Sequence, residues 1–339
     1  MWYYSNIKSC INADNEKVLH NGEKSMYGII GAGILVGLSL PVQTSVNARL
    51  RAKLGSPFLA SLVSFMVAAA FLGLLILFEQ GTIFISLADV WGEPLWIWAG
   101  GICGVIFLTG NIFLLPRLGS VQTVVLPVLG QVIMGLLIDN FAWFAGQKIA
   151  LTFFRILGAV LVMSGVTLVS LPRKSNRNSP VPAVSPKREF SLLSWQVFAV
   201  AIGMLSAMQT AINGHLGVVI NSPYAAAFIS FVVGLFILPA VCVLWAVKYP
   251  VQKDTSLKMH WWMWTGGIFG ALFILINMFL SQRVGTGMAV IIVLLGAMTG
   301  GVCIDHFALL GSKERRPLTL IKLFGLMIML AGVVCVRFL

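Results

Sequence analysis

Charge is scarce in this sequence. Of its 339 residues only 10% are charged, and just 11 are acidic against 23 Lys and Arg. A soluble domain carries about 25% charged residues, so a chain this poor in them excludes an ordinary water-exposed surface. Cysteine is also sparse. Cys10, Cys103, Cys242, Cys303 and Cys335 are odd in number and irregular in spacing, and four of them lie in apolar stretches, which excludes a disulfide framework and a CxxC metal site. His215, His260 and His306 are scattered near loops, so no metal set forms and no cofactor is expected. No GxxxxGK[ST], HExxH or GxSxG pattern occurs. The chain therefore lacks its own phosphate-binding loop and the nucleophile and metal motifs of common hydrolases, and is not read as an enzyme. Residues 1–26 form a polar tail of mixed charge (Lys8, Asp14, Glu16, Lys17, Glu23, Lys24) without the apolar core of a cleavable signal.

Apolar residues are what the sequence has in abundance. They make up 58% of the chain, and the mean hydropathy is +0.94. A membrane span needs about 20 predominantly apolar residues, and such runs recur along nearly the whole length. Reading each run against its breakers predicts ten helices: Tyr27–Val46, Phe58–Phe78, Leu95–Leu115, Val121–Ile138 and Phe153–Leu171, then Trp195–Ile212, Tyr224–Val247, Trp261–Leu280, Met288–Ile304 and Leu320–Phe338. Between the two sets, residues 172–190 are rich in Ser, Pro and basic residues and read as a linker. The net charge of +12 comes from short basic clusters between apolar runs. That is the pattern of loops facing anionic lipid and cytoplasm, not of a nucleic-acid surface.

The two sets of helices share one pattern. Gln43-Thr44 and Asn47 recur as Gln209-Thr210 and Asn213, a shift of 166 residues. The same shift carries Ser56-Pro57 to Ser222-Pro223 and Ser64-Phe65 to Ser230-Phe231. It carries Trp96, Trp98, Gly100, Gly101 and Gly104 to Trp262, Trp264, Gly266, Gly267 and Gly270, and Asn111 to Asn277. Further on it carries Arg117 and Gly119 to Arg283 and Gly285, and Ile138-Asp139 and Phe141 to Ile304-Asp305 and Phe307. After one inserted residue, Gly158 and Gly165 correspond to Gly325 and Gly332. A constant offset through five helices marks an internal duplication.

Five is an odd number, so a tandem copy enters the membrane upside down relative to the first. The basic residues test this independently. Arg49, Arg51 and Lys53 follow helix 1, whereas their equivalents are His215, Gly217 and Val219. The loop 79–94 has no Lys or Arg, while its equivalent carries Lys248, Lys253 and Lys258. Fifteen of the 23 Lys and Arg fall in the segments after helices 1, 3, 5, 7 and 9, and Lys322 at the head of helix 10 adds a sixteenth to the same face. The positive-inside rule then predicts a cytoplasmic linker 172–190 and both termini outside.

The expected architecture is an all-α integral membrane protein, with ten transmembrane helices as two inverted five-helix repeats over residues 27–171 and 191–339. Inverted repeats offer two nearly equal packings, one open to each side, with a small-molecule site between the halves near the midplane. The expected activity is that of a secondary active transporter working by alternating access, as a monomer or homodimer in the lipid bilayer. The alternative is a passive channel or a membrane scaffold without transport activity. Gly33-x3-Gly37, Gly100-x3-Gly104 and Gly266-x3-Gly270 suit either sliding contacts or static close packing.

Polar groups in hydrocarbon need a partner or a watery cavity. Gln43 and Asn47 share a helix face, as do Gln209 and Asn213, and Asn111 and Asn277 interrupt helices 3 and 8. Gln131 follows Pro127 and Gly130, where a helix is able to kink. These seven amides are the candidate substrate-binding residues. The competing reading is amide hydrogen bonding that ties helices together. Asp139 and Asp305 end apolar runs at matched positions and are candidates for ion or proton coupling. Equally, each suits a structural role, accepting from a neighbouring helix end or pairing with Arg117 or Arg283. Trp96, Trp98, Trp261, Trp262 and Trp264 stand at helix starts, as an interfacial aromatic belt does.

An ordered series of motifs resembles the YdcZ-type branch of the drug/metabolite transporter superfamily, the wider EamA-like group. The series is Asn-Ala-Arg-Leu followed by Leu-Gly-Ser-Pro (47–57), Trp-x-Trp-x-Gly-Gly-x-x-Gly (96–104), Pro-Arg-Leu-Gly (116–119), Gly-Gln (130–131) and Ile-Asp-x-Phe (138–141). The second half ends its weaker echo in Ile-Asp-His-Phe (304–307) and Arg-Pro-Leu (316–318). The resemblance spans about 27–339 and implies five-helix units, fused here, and export of a small molecule. The chain departs from the pattern where Ala297 faces Gln131 across the repeat and where Asn221 replaces Gly55. Both departures suggest a site without two-fold symmetry.

Overall fold

The computed structural model describes residues 28, 30–85, 90–146, 148–170, 186–248, 258–307 and 320–338. The described residues are helical, with no strand among them. The elements are α1 (Ile30–Leu54), α2 (Pro57–Gln80), α3 (Ala99–Phe141), α4 (Phe153–Ser170), α5 (Pro186–Val219), α6 (Pro223–Lys248), α7 (Gly266–Val284), α8 (Thr286–Phe307) and α9 (Leu320–Phe338). Short 3-10 turns Leu95–Trp98 and Trp261–Trp264 lead into α3 and towards α7.

Local chemistry sets the boundaries. Ser56 caps α2, its hydroxyl accepting from the Leu59 N–H, and Pro57 occupies the first turn, where its missing N–H costs nothing. Ser222 and Pro223 repeat the device on α6, with Ala225 N donating to Ser222 Oγ at 3.2 Å. The residue before each cap is left-handed, Gly55 at φ 77° and Asn221 at φ 47°. Asn is the side chain that tolerates this region best after Gly. The Gly55/Asn221 difference thus preserves one backbone turn and is no sign of asymmetry.

The repeat is legible in three dimensions. A side chain added at Gly100 would meet Asn213, and one at Gly266 would meet Asn47. Gly104 likewise faces Gln209, and Gly270 faces Gln43. These glycine contacts between the halves recur at the same offset of 166. Gly130 lies against the Val200 carbonyl and Gly296 against that of Ile34; Gly37 lies against the Val293 carbonyl and Gly203 against that of Pro127. Directions follow from the order of contacts. Gly165 meets Gly325 while Gly158 meets Gly332, so α4 and α9 run antiparallel. Phe65 meets Phe231 while Gly73, two turns on, meets Phe228, so α2 and α6 are antiparallel too. Apolar clusters gather around these crossings, one about Phe65, Leu72, Phe231 and Leu238, another about Phe107, Leu114, Phe273 and Leu280.

Expected helices 3 and 4 are the two spans Leu95–Leu118 and Gln122–Phe141 inside α3. Gly100, Gly104 and Gly110 meet Asn213, Gln209 and Ile202 in turn, whereas Gly130 and Gln131 meet Val200 and Ser206, so the chain reverses along α5 between the two spans. In the second half the equivalent turn falls at Gly285, whose φ of 84° separates α7 from α8. One boundary differs from the sequence reading. The expected linker is shorter at its end, because α5 already begins at Pro186, where proline suits a first turn. Residues 1–26 and 172–185, and the side chain of Asp305, lie outside the described residues.

Among the described residues, seven helical segments are long and apolar enough to cross a membrane: Ile30–Leu54, Pro57–Gln80, Leu95–Leu118, Gln122–Phe141, Leu192–Val219, Pro223–Val247 and Trp261–Val284. Phe153–Leu168 and Ile292–Ile304 are shorter apolar helices. Large apolar side chains such as Leu35, Phe78, Phe236, Leu244 and Phe324 stand on the outside. A surface this apolar fits contact with lipid tails.

Candidate functional site

All seven candidate amides are buried. The structure brings four of them to the seam between the halves. Gln43 and Asn47 of α1 lie on the glycine face Gly266/Gly270 of α7, and Gln209 and Asn213 of α5 lie on Gly100/Gly104 of α3. The i,i+4 spacing of the amides meets the i,i+4 spacing of the glycines, which lets backbone and amide come this close. Ser64 Oγ donates to Asn47 Oδ1 at 2.7 Å, and Asn213 Nδ2 donates to Ser230 Oγ at 3.2 Å. One atom of each remains unsatisfied, Asn47 Nδ2 and Asn213 Oδ1. An unmet buried polar atom costs about 1–3 kcal/mol, and its presence in both copies calls for a reason.

The other three are satisfied within the helical framework. Asn111 Nδ2 donates to the Phe107 carbonyl at 3.0 Å, and Asn277 Nδ2 to that of Phe273 at 3.1 Å. Gln131 Nε2 donates to Ser206 Oγ of α5 at 3.1 Å. Its repeat equivalent, Ala297, is fully buried beside Gly37.

Asp139 closes a different cluster, at one end of the bundle. Its Oδ2 accepts from Arg155 Nη2 at 2.8 Å and its Oδ1 from the Thr286 N–H at 2.8 Å. The expected partner Arg117 is replaced by Arg155 of α4; the Arg117 guanidinium instead lies 3.9 Å from the Trp195 ring centroid. The expected acceptance from a helix end does occur, since Thr286 begins α8. The break at Gly285 aims that N–H at the carboxylate, where the positive end of α8 favours a negative charge. Arg155 also donates to the Ile149 carbonyl at 3.1 Å. Both side chains are under a tenth exposed.

A cavity of about 280 Å³ opens beside this pair. Asp139, Phe144 and Gly146 line it from the end of α3, Gly214 and His215 from α5, and Ser281, Gln282 and Thr286 from α7 and α8. His215 Nε2 lies 2.9 Å from Glu93 Oε2, and its ring packs 5.3 Å from that of Trp96. Gln282 Nε2 donates to the Gly214 carbonyl at 2.8 Å. None of the seven amides lines this cavity. The sequence reading set His215 aside as a scattered histidine and passed over Gln282, because neither carries a repeat signal: their equivalents are Arg49 and Pro116. That very mismatch was the available clue. Trp96 packs behind the cavity lining, against His215 and Phe144, whereas Trp261 is largely exposed, as a belt requires.

Two apolar helical units written in one residue pattern make this a duplicated polytopic membrane protein. The chain belongs to the family described as "Putative inner membrane exporter, YdcZ", whose model matches residues 28–168 and again residues 194–335. No curated protein matches the chain. A solved crystal structure is similar with a TM-score of 0.60 at 14% identity, over 93% of this chain and 96% of that one. At that identity the likeness concerns the fold alone.

Proposed function

We propose that the chain is a secondary active exporter. In this reading ten transmembrane helices form two inverted five-helix repeats, residues 27–171 and 191–339, which move a small molecule by alternating access. The observation that carries the reading is the antiparallel, reciprocal contact between equivalent helices, α2 with α6 and α4 with α9. Antiparallel copies of one unit present the same packing problem to both faces of a membrane, and its two solutions open to opposite sides.

The amides fit this cycle. Gln43 and Asn47, with Gln209 and Asn213, are sealed under the glycine faces of the opposite half. The unsatisfied Asn47 Nδ2 and Asn213 Oδ1 lack partners in this packing. A substrate entering as the seam parts would supply them, so binding would offset a cost already present in the closed form. Asn111, Gln131 and Asn277 would contact substrate only by exchanging a protein hydrogen bond for one to the ligand. Asp139 is held by Arg155 and Thr286, which favours a structural role over proton carriage; Asp305 stands as its sequence equivalent.

The proposed location is the inner membrane, with the linker cytoplasmic, both termini outside, and a monomer or homodimer as the working unit. Purified chain in sealed proteoliposomes, screened against a broad panel of labelled small molecules, tests the activity. Saturable uptake with counterflow is the expected result. Non-saturating flux would instead indicate a channel, and no flux across the panel a scaffold.

A further inference from the structure

We propose that Arg51 and Arg117, at the basic end of the bundle, hold the phosphodiester headgroup of an anionic phospholipid against the aromatic side chains beside them. The inference uses the membrane setting of the chain and not its transport activity.

The two arginines converge from different helices. Arg51 stands near the end of α1, where its Nη1 donates to the Ile112 carbonyl at 2.8 Å and its guanidinium lies 5.9 Å from the Phe113 ring centroid. Arg117 follows Phe113 by one turn, on the same face of the span Leu95–Leu118. The two guanidiniums are near enough for their charges to repel, and an anion between them removes that cost. Among the described side chains no carboxylate is placed to do so. Asp139 pairs with Arg155 and Glu93 with His215, and Asp139 closes the span Gln122–Phe141, which begins at the Arg117 end. Glu79 stands at the far end of α2, a 24-residue helix that starts just after Arg51, about 36 Å away at the helical rise.

Both guanidiniums keep donors for a ligand. Each carries five N–H groups and grips phosphate oxygens through two at a time. One bond to the Ile112 carbonyl leaves the remainder of Arg51, and stacking over Trp195 at 3.9 Å leaves the in-plane N–H groups of the exposed Arg117. The surroundings favour a lipid over a soluble phosphate. Phe58, Phe113 and Trp245 pack on one another with centroids between 5.0 and 5.7 Å apart, and indoles settle at headgroup depth. Leu192 and Leu193 before Trp195, and Leu244 and Val247 around Trp245, stand exposed, as a border for acyl chains.

The duplication shows that the fold does not require this set. Under the shift of 166, Arg51 corresponds to Gly217, Trp195 to Ile29 and Trp245 to Glu79, and only Arg117 keeps its charge, as Arg283. A pair needed for packing would recur in the second half, whereas a pair serving one leaflet would not. Basic pockets between spans on the cytoplasmic side are where anionic headgroups bind.

Native mass spectrometry of the full chain tests this, with phosphatidylglycerol and phosphatidylethanolamine of the same acyl chains added to the detergent solution. The readout is the ratio of the two first-binding constants, since a general loss of fold lowers both together. The parent is expected to favour phosphatidylglycerol by about twentyfold, roughly fivefold for each basic residue at a lipid surface. Arg117→Gln is expected to cut the ratio by about fivefold, and Arg51→Gln with Arg117→Gln to bring it close to one. Arg283→Gln, which removes the same charge at the counterpart position, is expected to change it by less than about twofold. A parent ratio near one, an unchanged ratio in Arg117→Gln, or an equal loss in Arg283→Gln would each overturn the proposal. Displacement of the lipid by an equal concentration of glycerol 1-phosphate would overturn it too, by showing a site for soluble phosphate. If the double variant fails to purify as a single species, Arg117→Gln decides alone. The measurement reads no flux, so the exporter reading stands or falls separately.

Discussion

Phe65 and Phe231, equivalent residues of the two halves, meet each other directly, with ring centroids 5.0 Å apart and planes at 72°. Phe107 and Phe273, a second equivalent pair, stack at 6.5 Å with planes 12° apart. Two residues that are each other's counterparts can touch only close to the line that relates them. These pairs therefore mark where the halves turn into one another, and the reciprocal glycine contacts lie to either side. Edge-to-face aromatic pairs are worth about 0.5–1.5 kcal/mol beyond their burial. Phe65→Ala and Phe231→Ala are each expected to cost about 3–5 kcal/mol, and the double variant less than their sum. Thermal unfolding in detergent measures the coupling; strict additivity would mean the rings do not support each other.

The glycine faces make a sharper prediction about space. A side chain at Gly100 collides with Asn213, and one at Gly266 with Asn47, whereas Gly301 has nothing within 4 Å. Gly100→Val and Gly266→Val are expected to destabilise by about 1–3 kcal/mol through overpacking. Gly301→Ala, inside α8, is expected to be neutral or to stabilise by up to about 1 kcal/mol through helix propensity. Melting temperatures of the three variants check the ranking.

Asp139 and Arg155 form a buried pair, and removing one partner strands the other. Asp139→Leu and Arg155→Met are each expected to cost about 3–5 kcal/mol, while the double variant recovers most of the loss. A double-mutant cycle by thermal unfolding reads this directly. If the double variant is as unstable as the sum of the singles, the pair is not the organising contact at this end of the bundle.

Much of the architecture was legible in the sequence because lipid imposes a simple grammar. Every span must be apolar, and the 166-residue shift aligns one half on the other at Gln43/Gln209, Gly100/Gly266 and Asp139/Asp305. One boundary was read less well. The linker was carried to residue 190, whereas α5 begins at Pro186, since a proline that breaks one helix equally suits the first turn of another. The partner of Asp139 was missed because Arg155 lies across a loop, and sequence spacing carries no information about that distance. The amides were found as residues, but their burial against glycine faces is a tertiary fact. His215 was hidden for the opposite reason, as a singular residue in a chain read for repetition.

The account stands on the two halves being antiparallel across the bilayer, and side-specific labelling of two exposed counterpart loops tests that most directly. Thr82 follows α2 and Lys258 lies between α6 and α7; both are exposed. In a background with all five cysteines replaced, Thr82→Cys and Lys258→Cys would be treated with a membrane-impermeant maleimide on intact cells and again after the membrane is opened. Inversion predicts that Thr82→Cys is modified from outside on intact cells, and Lys258→Cys only once the inner face is accessible. Modification of both positions from the same side would contradict it.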